Sequence, residues 1–208
     1  MKELLVSIES LKNSKISDVI SERIKEFSEV RKMGVEKIFE ELCFCILTAN
    51  CAANSCIEVQ NRINTGFLKY SEERLRTKFK ECGYRFPNIR AKYIVEARKH
   101  ILDINKKVNS SMDELMIREW LEKTIKGLGY KEASHFLRNI GFKNLAIIDF
   151  HIINLLEKFG IIQKPKTLTK REYIEIEQVL KKIGERVNLD LDELDLYLWY
   201  METEEVLK

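Results

Sequence analysis

Residues 121–141 read LEKTIKGLGYKEASHFLRNIG, and this stretch is the most informative about the fold. Apolar side chains recur at helical spacing on both sides of a turn that holds Gly127 and Gly129, which predicts two helices joined by a tight hairpin. We expect the first helix to end near Lys126 and the second to begin near Tyr130. The two glycines leave the backbone amides of the turn unshielded, and a helix N-terminus favours an anion. The pattern therefore predicts a phosphate site at Gly127 and Gly129, although glycine also ends ordinary helices.

The rest of the chain repeats this helical spacing. The sequence has 208 residues with only 8 Gly and 2 Pro, too few turn residues for a sandwich or barrel of this length. Amphipathic stretches predict an all-α protein of roughly ten helices, with helix starts at Ser71 and Ser111. Because no linker or repeat interrupts the pattern, we expect residues 1–208 to form a single helical unit.

Composition excludes several classes of protein. No apolar run reaches the length of a membrane span, and charges interrupt the N-terminal apolar stretch, so we expect a cytoplasmic protein. No oligomerisation signal is visible, so we expect a monomer. The net charge is +3, but it is unevenly spread. Residues 85–107 are strongly basic and residues 185–208 strongly acidic, so a polyanion would approach the first region. The alternative is two solvated helix faces.

Five cysteines occur, all in the first half of the chain: Cys43, Cys45, Cys51, Cys56 and Cys82. An odd number without a leader argues against disulfides and for a reducing compartment. The spacing of the first four is not that of a zinc ribbon or a ferredoxin. We expect these thiols to be small core residues rather than metal ligands.

Two residues carry candidate chemistry. Lys131 lies in the first turn of the second hairpin helix, where the positive end of the helix dipole favours the neutral, nucleophilic amine. Asp149 follows 18 residues later within an apolar run, which suits a rigid helix N-cap and equally a carboxylate that moves a proton or stabilises a cationic sugar. The alternative for Lys131 is a simple contact with phosphate or solvent.

At this point the sequence resembles a known family. A hairpin of the form G-x-G-x-K followed by an Asp that opens the next helix is similar to the helix-hairpin-helix superfamily of DNA glycosylases. Within that superfamily, four stretches of the chain resemble the type-2 8-oxoguanine DNA glycosylase/lyase family: LCFCILTANCAANSC, YRFPNIRAKYIVEAR, GLGYKEASHFLRNIG and the final LDELDLYLWYMETEEVLK. The resemblance covers roughly residues 35–208.

The resemblance implies two helical subdomains with the active site in the cleft between them. Lys131 would be the nucleophile that forms a Schiff base with the sugar of duplex DNA containing 8-oxoguanine, and Asp149 the essential carboxylate. Gly127 and Gly129 would hold the DNA backbone. No cofactor is implied apart from a monovalent cation at the hairpin, and no iron–sulfur cluster is expected because no cysteine follows residue 82. The loop before Asp149 lacks the Gly and Pro common in the superfamily.

The resemblance also implicates the final residue, Lys208, in distinguishing 8-oxoguanine from guanine. A flipped base must stack on apolar or aromatic groups. Trp199 on the last helix is the leading candidate for this contact, and the alternative is that Trp199 only packs within the protein. Tyr197, Tyr200, Met201 and Phe86 are further candidates. Two other functions stay open: the same chemistry on another oxidised base, and a non-catalytic helix-hairpin-helix module that only binds DNA.

Overall fold

The computed structural model describes residues 1–208 as thirteen α-helices without a strand. They are α1 (Lys2–Lys12), α2 (Ile16–Val30), α3 (Val35–Thr48), α4 (Ala53–Ile63), α5 (Gly66–Lys69), α6 (Glu72–Glu81), α7 (Pro87–Ala97), α8 (Ile101–Val108), α9 (Glu114–Thr124), α10 (Tyr130–Asn139), α11 (Phe150–Lys158), α12 (Lys170–Val187) and α13 (Leu191–Thr203). The all-α prediction is confirmed. The estimate of roughly ten helices was too low because the sequence pattern missed α1, α4 and the single-turn α5.

Local sequence explains most helix boundaries. Ser71 caps α6 by accepting the N–H of Arg74 at 3.2 Å, as predicted. The predicted start at Ser111 is wrong: Asp113 caps α9 by accepting the N–H of Leu115 at 2.9 Å. Both Ser and Asp are favoured caps, so composition alone did not decide between two residues so close together.

The helices enclose two main hydrophobic cores. The first core contains 29 buried residues and is built from α3 to α10 with the segment up to Leu145. The second core contains 16 buried residues and is built from α1, from α11 to α13 and from the segment that begins at Ala146. The chain therefore begins in the second unit with α1, forms the first unit and then returns to the second unit from Ala146 onward. A cleft lies between the two units, where α10 faces α11 and α13.

The cysteines are all free thiols. Cys43, Cys45 and Cys56 are buried in the first core, as predicted, whereas Cys51 and Cys82 are partly exposed. Burial raises the pKa of the Cys43 and Cys45 thiols well above the usual value, since a thiolate is costly away from water. No helix of the protein is both long and apolar enough to span a bilayer.

Candidate active site

The hairpin between α9 and α10 has the predicted geometry. Gly127 takes a φ of +90°, a conformation that favours glycine. A Cβ at this position would lie 2.6 Å from Cδ2 of Tyr93, so the turn also needs the missing side chain. Leu128 is buried in the first core and anchors the turn from beneath.

The amides of the turn differ in what they can still bind. The N–H of Gly129 donates to Oε2 of Glu132 at 3.1 Å, a contact inside the helix N-terminus. The N–H of Gly127 has no acceptor in the protein and stays available to a ligand. Phosphate binding at both glycines therefore stays a prediction, and at Gly129 a phosphate would have to displace the Glu132 carboxylate.

A cavity of about 650 Å³ lies between the two units and contains the predicted catalytic residues. The first unit contributes Lys131 from α10, and the second contributes Asp149 and Trp199. The C-terminal Lys208 lies against the first unit at the same cavity. Residues that are distant in sequence therefore meet at one site. The volume falls in the range usual for small-molecule sites.

Lys131 is held by its neighbour in the sequence. Its side chain is 24% exposed, and Nζ lies 3.3 Å from Oε1 of Glu132. No distance of 4.0 Å or less joins Nζ to the Asp149 carboxylate. The two predicted catalytic groups therefore share the cavity without forming an ion pair.

Asp149 caps α11, as the sequence predicted. Its Oδ1 accepts the N–H groups of His151 at 2.9 Å and Ile152 at 3.1 Å. These bonds fix the carboxylate at the N-terminus of α11 and leave Oδ2 free to act in the cavity.

The segment that carries Asp149 is positioned by α12. The hydroxyl of Tyr173 donates to the carbonyl of Ala146 at 2.6 Å and accepts the N–H of Ile148 at 3.3 Å. Oε1 of Glu177 accepts the N–H of Ala146 at 2.9 Å. These side-chain contacts fix the loop, which has neither Gly nor Pro between Phe142 and Ile148.

Glu177 is also paired with Arg118 of α9. The guanidinium contacts both carboxylate oxygens, at 2.5 and 2.9 Å, and both side chains are buried. Sequence reasoning missed Arg118, Tyr173 and Glu177. A charged pair within two amphipathic patterns, one Arg and one Glu on otherwise apolar faces, was the available signal.

An aromatic group closes one side of the cavity. The His151 ring packs edge-on against Trp199, with centroids 4.8 Å apart, and the exposed Phe150 ring lies 3.9 Å from His151. Trp199 Nε1 is buried without a hydrogen-bond partner.

The other base-stacking candidates do not line the cavity. Tyr197 is buried in a small cluster between α2 and α13 and contacts Ser17 through its hydroxyl at 3.2 Å. Met201 packs on the second core and Phe86 on the first, and Tyr200 is absent from the cavity wall as well. The packing alternative is therefore supported for Tyr197, Met201 and Phe86.

The Lys208 side chain is anchored in the first unit. Its Nζ donates to Oε1 of the buried Glu41 at 2.7 Å and lies 4.6 Å from the centre of the Phe44 ring. Gln60 and Asn139 donate to the same carboxylate at 3.0 and 3.1 Å. A buried carboxylate with all these partners holds Lys208 rigidly at the cavity wall.

Two titratable groups of the cavity are shifted by burial. The pKa of His135 lies well below its usual value because of desolvation and the nearby cations, so the ring is neutral. Burial raises the pKa of Asp195 to about 7, and the Arg138 guanidinium at 2.7 Å works against that rise. The short contact between Arg138 and Asp195 favours an ionised pair that bridges α10 and α13.

Part of the predicted basic surface is used inside the protein. Arg90 donates to the carbonyl of Ala49 at 2.9 Å, and Arg98 donates to the carbonyls of Phe67 at 2.7 Å and Tyr70 at 2.6 Å. These arginines, like Arg138 near the hairpin, cannot face a polyanion. The charge count over residues 85–107 thus overestimated the DNA-facing charge.

A helical hairpin that presents a lysine to a cleft, opposite a carboxylate that caps the next helix, defines the class of helix-hairpin-helix DNA glycosylases. Comparison with known proteins narrows this class. The sequence pattern of the family described as 8-oxoguanine DNA glycosylase matches residues 20–189. The chain belongs to this family.

Named relatives cover almost the whole chain. The 8-oxoguanine DNA glycosylase/AP lyase of Methanocaldococcus jannaschii is 52% identical over 208 residues, covering 99% of both chains. That of Korarchaeum cryptofilum is 48% identical over 207 residues, covering 99% of this chain and 98% of the relative.

Solved structures agree with the fold. The Methanocaldococcus jannaschii enzyme in complex with DNA containing 8-oxoguanine superimposes with a TM-score of 0.96 at 50% identity, over 99% of this chain and 100% of that one. The 8-oxoguanine DNA glycosylase of Thermotoga maritima superimposes with a TM-score of 0.93 at 38% identity, over 100% of this chain and 99% of that one.

Proposed function

We propose that the protein excises 8-oxoguanine from duplex DNA and then cuts the resulting abasic site, acting as a glycosylase and a lyase. The observation that carries this proposal is the convergence of Lys131 and Asp149 on one cavity at the hairpin. Membership of the family and the close named relatives support the same activity and substrate. Because the substrate is chromosomal damage, we place the protein inside the cell with the chromosome.

The first step is attack by a neutral Lys131 amine on the sugar C1′. The bond between C1′ and N9 breaks, and its electron pair leaves with the base, which takes up a proton. Asp149 stabilises the positive charge that develops on the sugar and accepts a proton from the attacking nitrogen. The C1′–O4′ bond then breaks as the nitrogen lone pair forms the C1′=N bond, and O4′ takes up the proton held by Asp149. The product is an iminium, the Schiff base between Nζ and C1′.

The second step is strand cleavage. The iminium makes the C2′ hydrogen acidic, and a base in the cavity removes it. The freed electrons form a double bond between C2′ and C3′, and the C3′–O bond breaks, so that the 3′ phosphate departs. The strand is cut on the 3′ side of the lesion, and hydrolysis of the imine returns Lys131.

The excised base occupies the space between Trp199 and the wall that carries Lys208. Trp199 lies edge-on to His151 and forms part of the lining, as a stacking platform for a flipped base requires. Lys208 lies on the opposite unit, fixed through Glu41. Their presence at one cavity supports a role for both residues in recognising the base after it leaves the duplex.

None of these steps transfers electrons to a cofactor, so the proposed chemistry requires no redox group. The hairpin offers a fit for a monovalent cation: the carbonyls of Lys126, Gly127 and Leu128 accept no N–H donor. A cation on these oxygens would add positive charge beside the DNA phosphate. The hairpin itself grips the backbone without reading sequence.

The decisive experiment is incubation with an 8-oxoguanine duplex in the presence of borohydride. We expect the wild-type protein to become covalently attached to DNA, because borohydride reduces the imine. Lys131→Gln should abolish trapping and strand cleavage while duplex binding survives. Lys126→Gln is the matched control, since this lysine lies at the same hairpin but pairs with Glu96 on the surface.

Two results would overturn the proposal. Normal trapping by Lys131→Gln would remove Lys131 from the mechanism. Duplex binding by the wild-type protein without excision would support the non-catalytic module instead. A panel of duplexes with other oxidised bases completes the experiment, and faster excision from one of them would reassign the substrate.

A further inference from the structure

Glu132 lies between the hairpin turn and Lys131, and the mechanism above gives it no role. One carboxylate oxygen, Oε2, accepts the N–H of Gly129 at 3.1 Å. The other, Oε1, lies 3.3 Å from Nζ of Lys131. The same side chain therefore contacts the amide of the turn and the nucleophile.

This arrangement is unusual for adjacent residues. Side chains at positions i and i+1 of a helix diverge and do not ordinarily face each other. Here Glu132 is the third residue of α10 and turns back toward Gly129, as in a capping box, which brings its carboxylate beside the Lys131 ammonium. The side chain of Glu132 is only 14% exposed and lines the cavity, so the pair is not a solvated surface contact.

The contact matters because the attacking amine must be neutral. A carboxylate at this distance stabilises the ammonium form and thereby opposes attack. Glu132 is the one carboxylate within 4.0 Å of Nζ, whereas Asp149, the expected proton acceptor, lies farther away. In the absence of DNA the nucleophile is thus oriented by Glu132 and not by Asp149.

We propose that Glu132 is a positioning residue: its carboxylate holds the Lys131 side chain in the cavity, and this contact must open before the amine can attack. The inference rests on the proposed function of Lys131. A phosphate that binds the N–H of Gly129 would compete for the Glu132 carboxylate, so DNA at the hairpin would loosen the pair at the nucleophile.

Other charged or titratable groups surround the same cavity. They are Arg85 before α7, His135 and Arg138 of α10, Asp149 and His151 of α11, Asp195 of α13, and Lys208. The nearby thiols of Cys45 and Cys56 have pKa values raised by burial and carry no charge. These groups stay in place when Glu132 alone is changed, so a difference from wild type reports on Glu132.

The test is the pH dependence of borohydride trapping on DNA with a preformed abasic site, measured far below saturation so that the rate reports on the free protein, in which the pair is formed. Glu132→Gln keeps an oxygen for the N–H of Gly129 but removes the charge beside Lys131. We expect the rising limb of the trapping rate to move to lower pH, because the neutral Gln side chain no longer opposes formation of the neutral amine. On the acidic side of that limb the rate should therefore rise.

Two further variants separate charge from capping. Glu132→Ala also loses the bond to Gly129, so it should show the same shift together with a lower melting temperature. Glu119→Gln removes a carboxylate that pairs with Lys123 and Lys170 outside the cavity, and should leave the profile unchanged.

An unshifted profile in a folded Glu132→Gln protein would overturn the inference, as would a slower rate at every pH. The first result would leave Glu132 as a helix cap, and the second would make it a proton acceptor. If the wild-type protein itself fails to trap, the proposed function fails, and the inference fails with it. Trapping by wild type with an unshifted variant overturns the inference alone.

Discussion

Asp149 combines a helix cap with the proposed catalytic carboxylate in one side chain. Its Oδ1 closes the N-terminus of α11 through two N–H bonds, and its Oδ2 remains for chemistry. The sequence analysis offered the cap and the catalytic carboxylate as alternatives, and the geometry accommodates both. A capping residue is held by the helix it starts, so the helix supplies the rigidity that a catalytic carboxylate needs.

Replacing Asp149 by asparagine separates these purposes. Asparagine is an equally good N-cap, so the free energy of unfolding of Asp149→Asn should differ from that of wild type by less than about 0.5 kcal/mol. Loss of the carboxylate should slow excision of 8-oxoguanine by about a hundredfold or more, measured under single-turnover conditions. Asp149→Ala should also lose about 1 kcal/mol of stability. Wild-type excision by Asp149→Asn would mean that the residue only caps α11.

Among the helical elements, the hairpin of α9 and α10 is the part that sequence described best. Its apolar flanks, its glycines and the first residue of α10 all follow from local patterns, because a tight turn between amphipathic helices needs only neighbouring residues. The sequence did not predict that Tyr93 of α7 packs against the turn at Gly127.

Gly127→Ala should therefore destabilise the protein more than a positive φ alone would. The alanine would have an unfavourable backbone conformation, and its Cβ would lie only 2.6 Å from the Tyr93 ring. We expect the free energy of unfolding, measured with denaturant, to fall by about 2–3 kcal/mol. Gly34→Ala is the matched control, since Gly34 has a φ of +94° and a Cβ there would meet nothing within 4 Å. We expect about 1 kcal/mol there. Equal losses of stability in the two variants would show that the turn or the Tyr93 ring shifts to relieve the close contact.

Across the molecule as a whole, two buried ion pairs fasten the hairpin to the second unit. Arg118 of α9 contacts Glu177 of α12, and Arg138 of α10 contacts Asp195 of α13. Removing one member of such a pair is costly because the other stays charged in a dry site. These contacts hold the unit with Lys131 against the unit with Asp149 and thereby define the cleft.

The acidic C-terminal region gives the protein a pH-dependent stability. Burial raises the pKa of Asp192 from 3.8 to about 6, and this carboxyl is only 4% exposed. The folded state therefore keeps a proton that the unfolded chain has lost between about pH 4 and pH 6, so this group's contribution to stability falls as pH rises through that window.

Asp192→Asn should remove this dependence. The amide resembles the protonated carboxyl and can still accept the N–H of Glu193. Near pH 4 the variant and wild type should unfold at similar denaturant concentrations. Near pH 7 the variant should be more stable, by about 1–3 kcal/mol. A variant less stable than wild type at both pH values would show that Asp192 is ionised and satisfied in the folded protein.

The helical class, the hairpin, the cap at Asp149 and its spacing from Lys131 all follow from the amino-acid sequence alone. Each depends on interactions within a few residues, so the local pattern suffices. The family resemblance added the substrate and the roles of Lys131 and Asp149, which no spacing could supply.

Which residues meet in the folded protein depends on the packing of its two units. That packing separated Trp199 from the other aromatic candidates, placed Arg90 and Arg98 on internal carbonyls instead of the DNA-facing surface, and brought Tyr173 and Glu177 to the segment before Asp149. The fold of the α10 N-terminus likewise brought Glu132 beside Lys131. These are contacts between elements, or between side chains turned by a cap. They depend on how the two cores pack against each other, and the periodicity of apolar residues along the chain does not predict that packing.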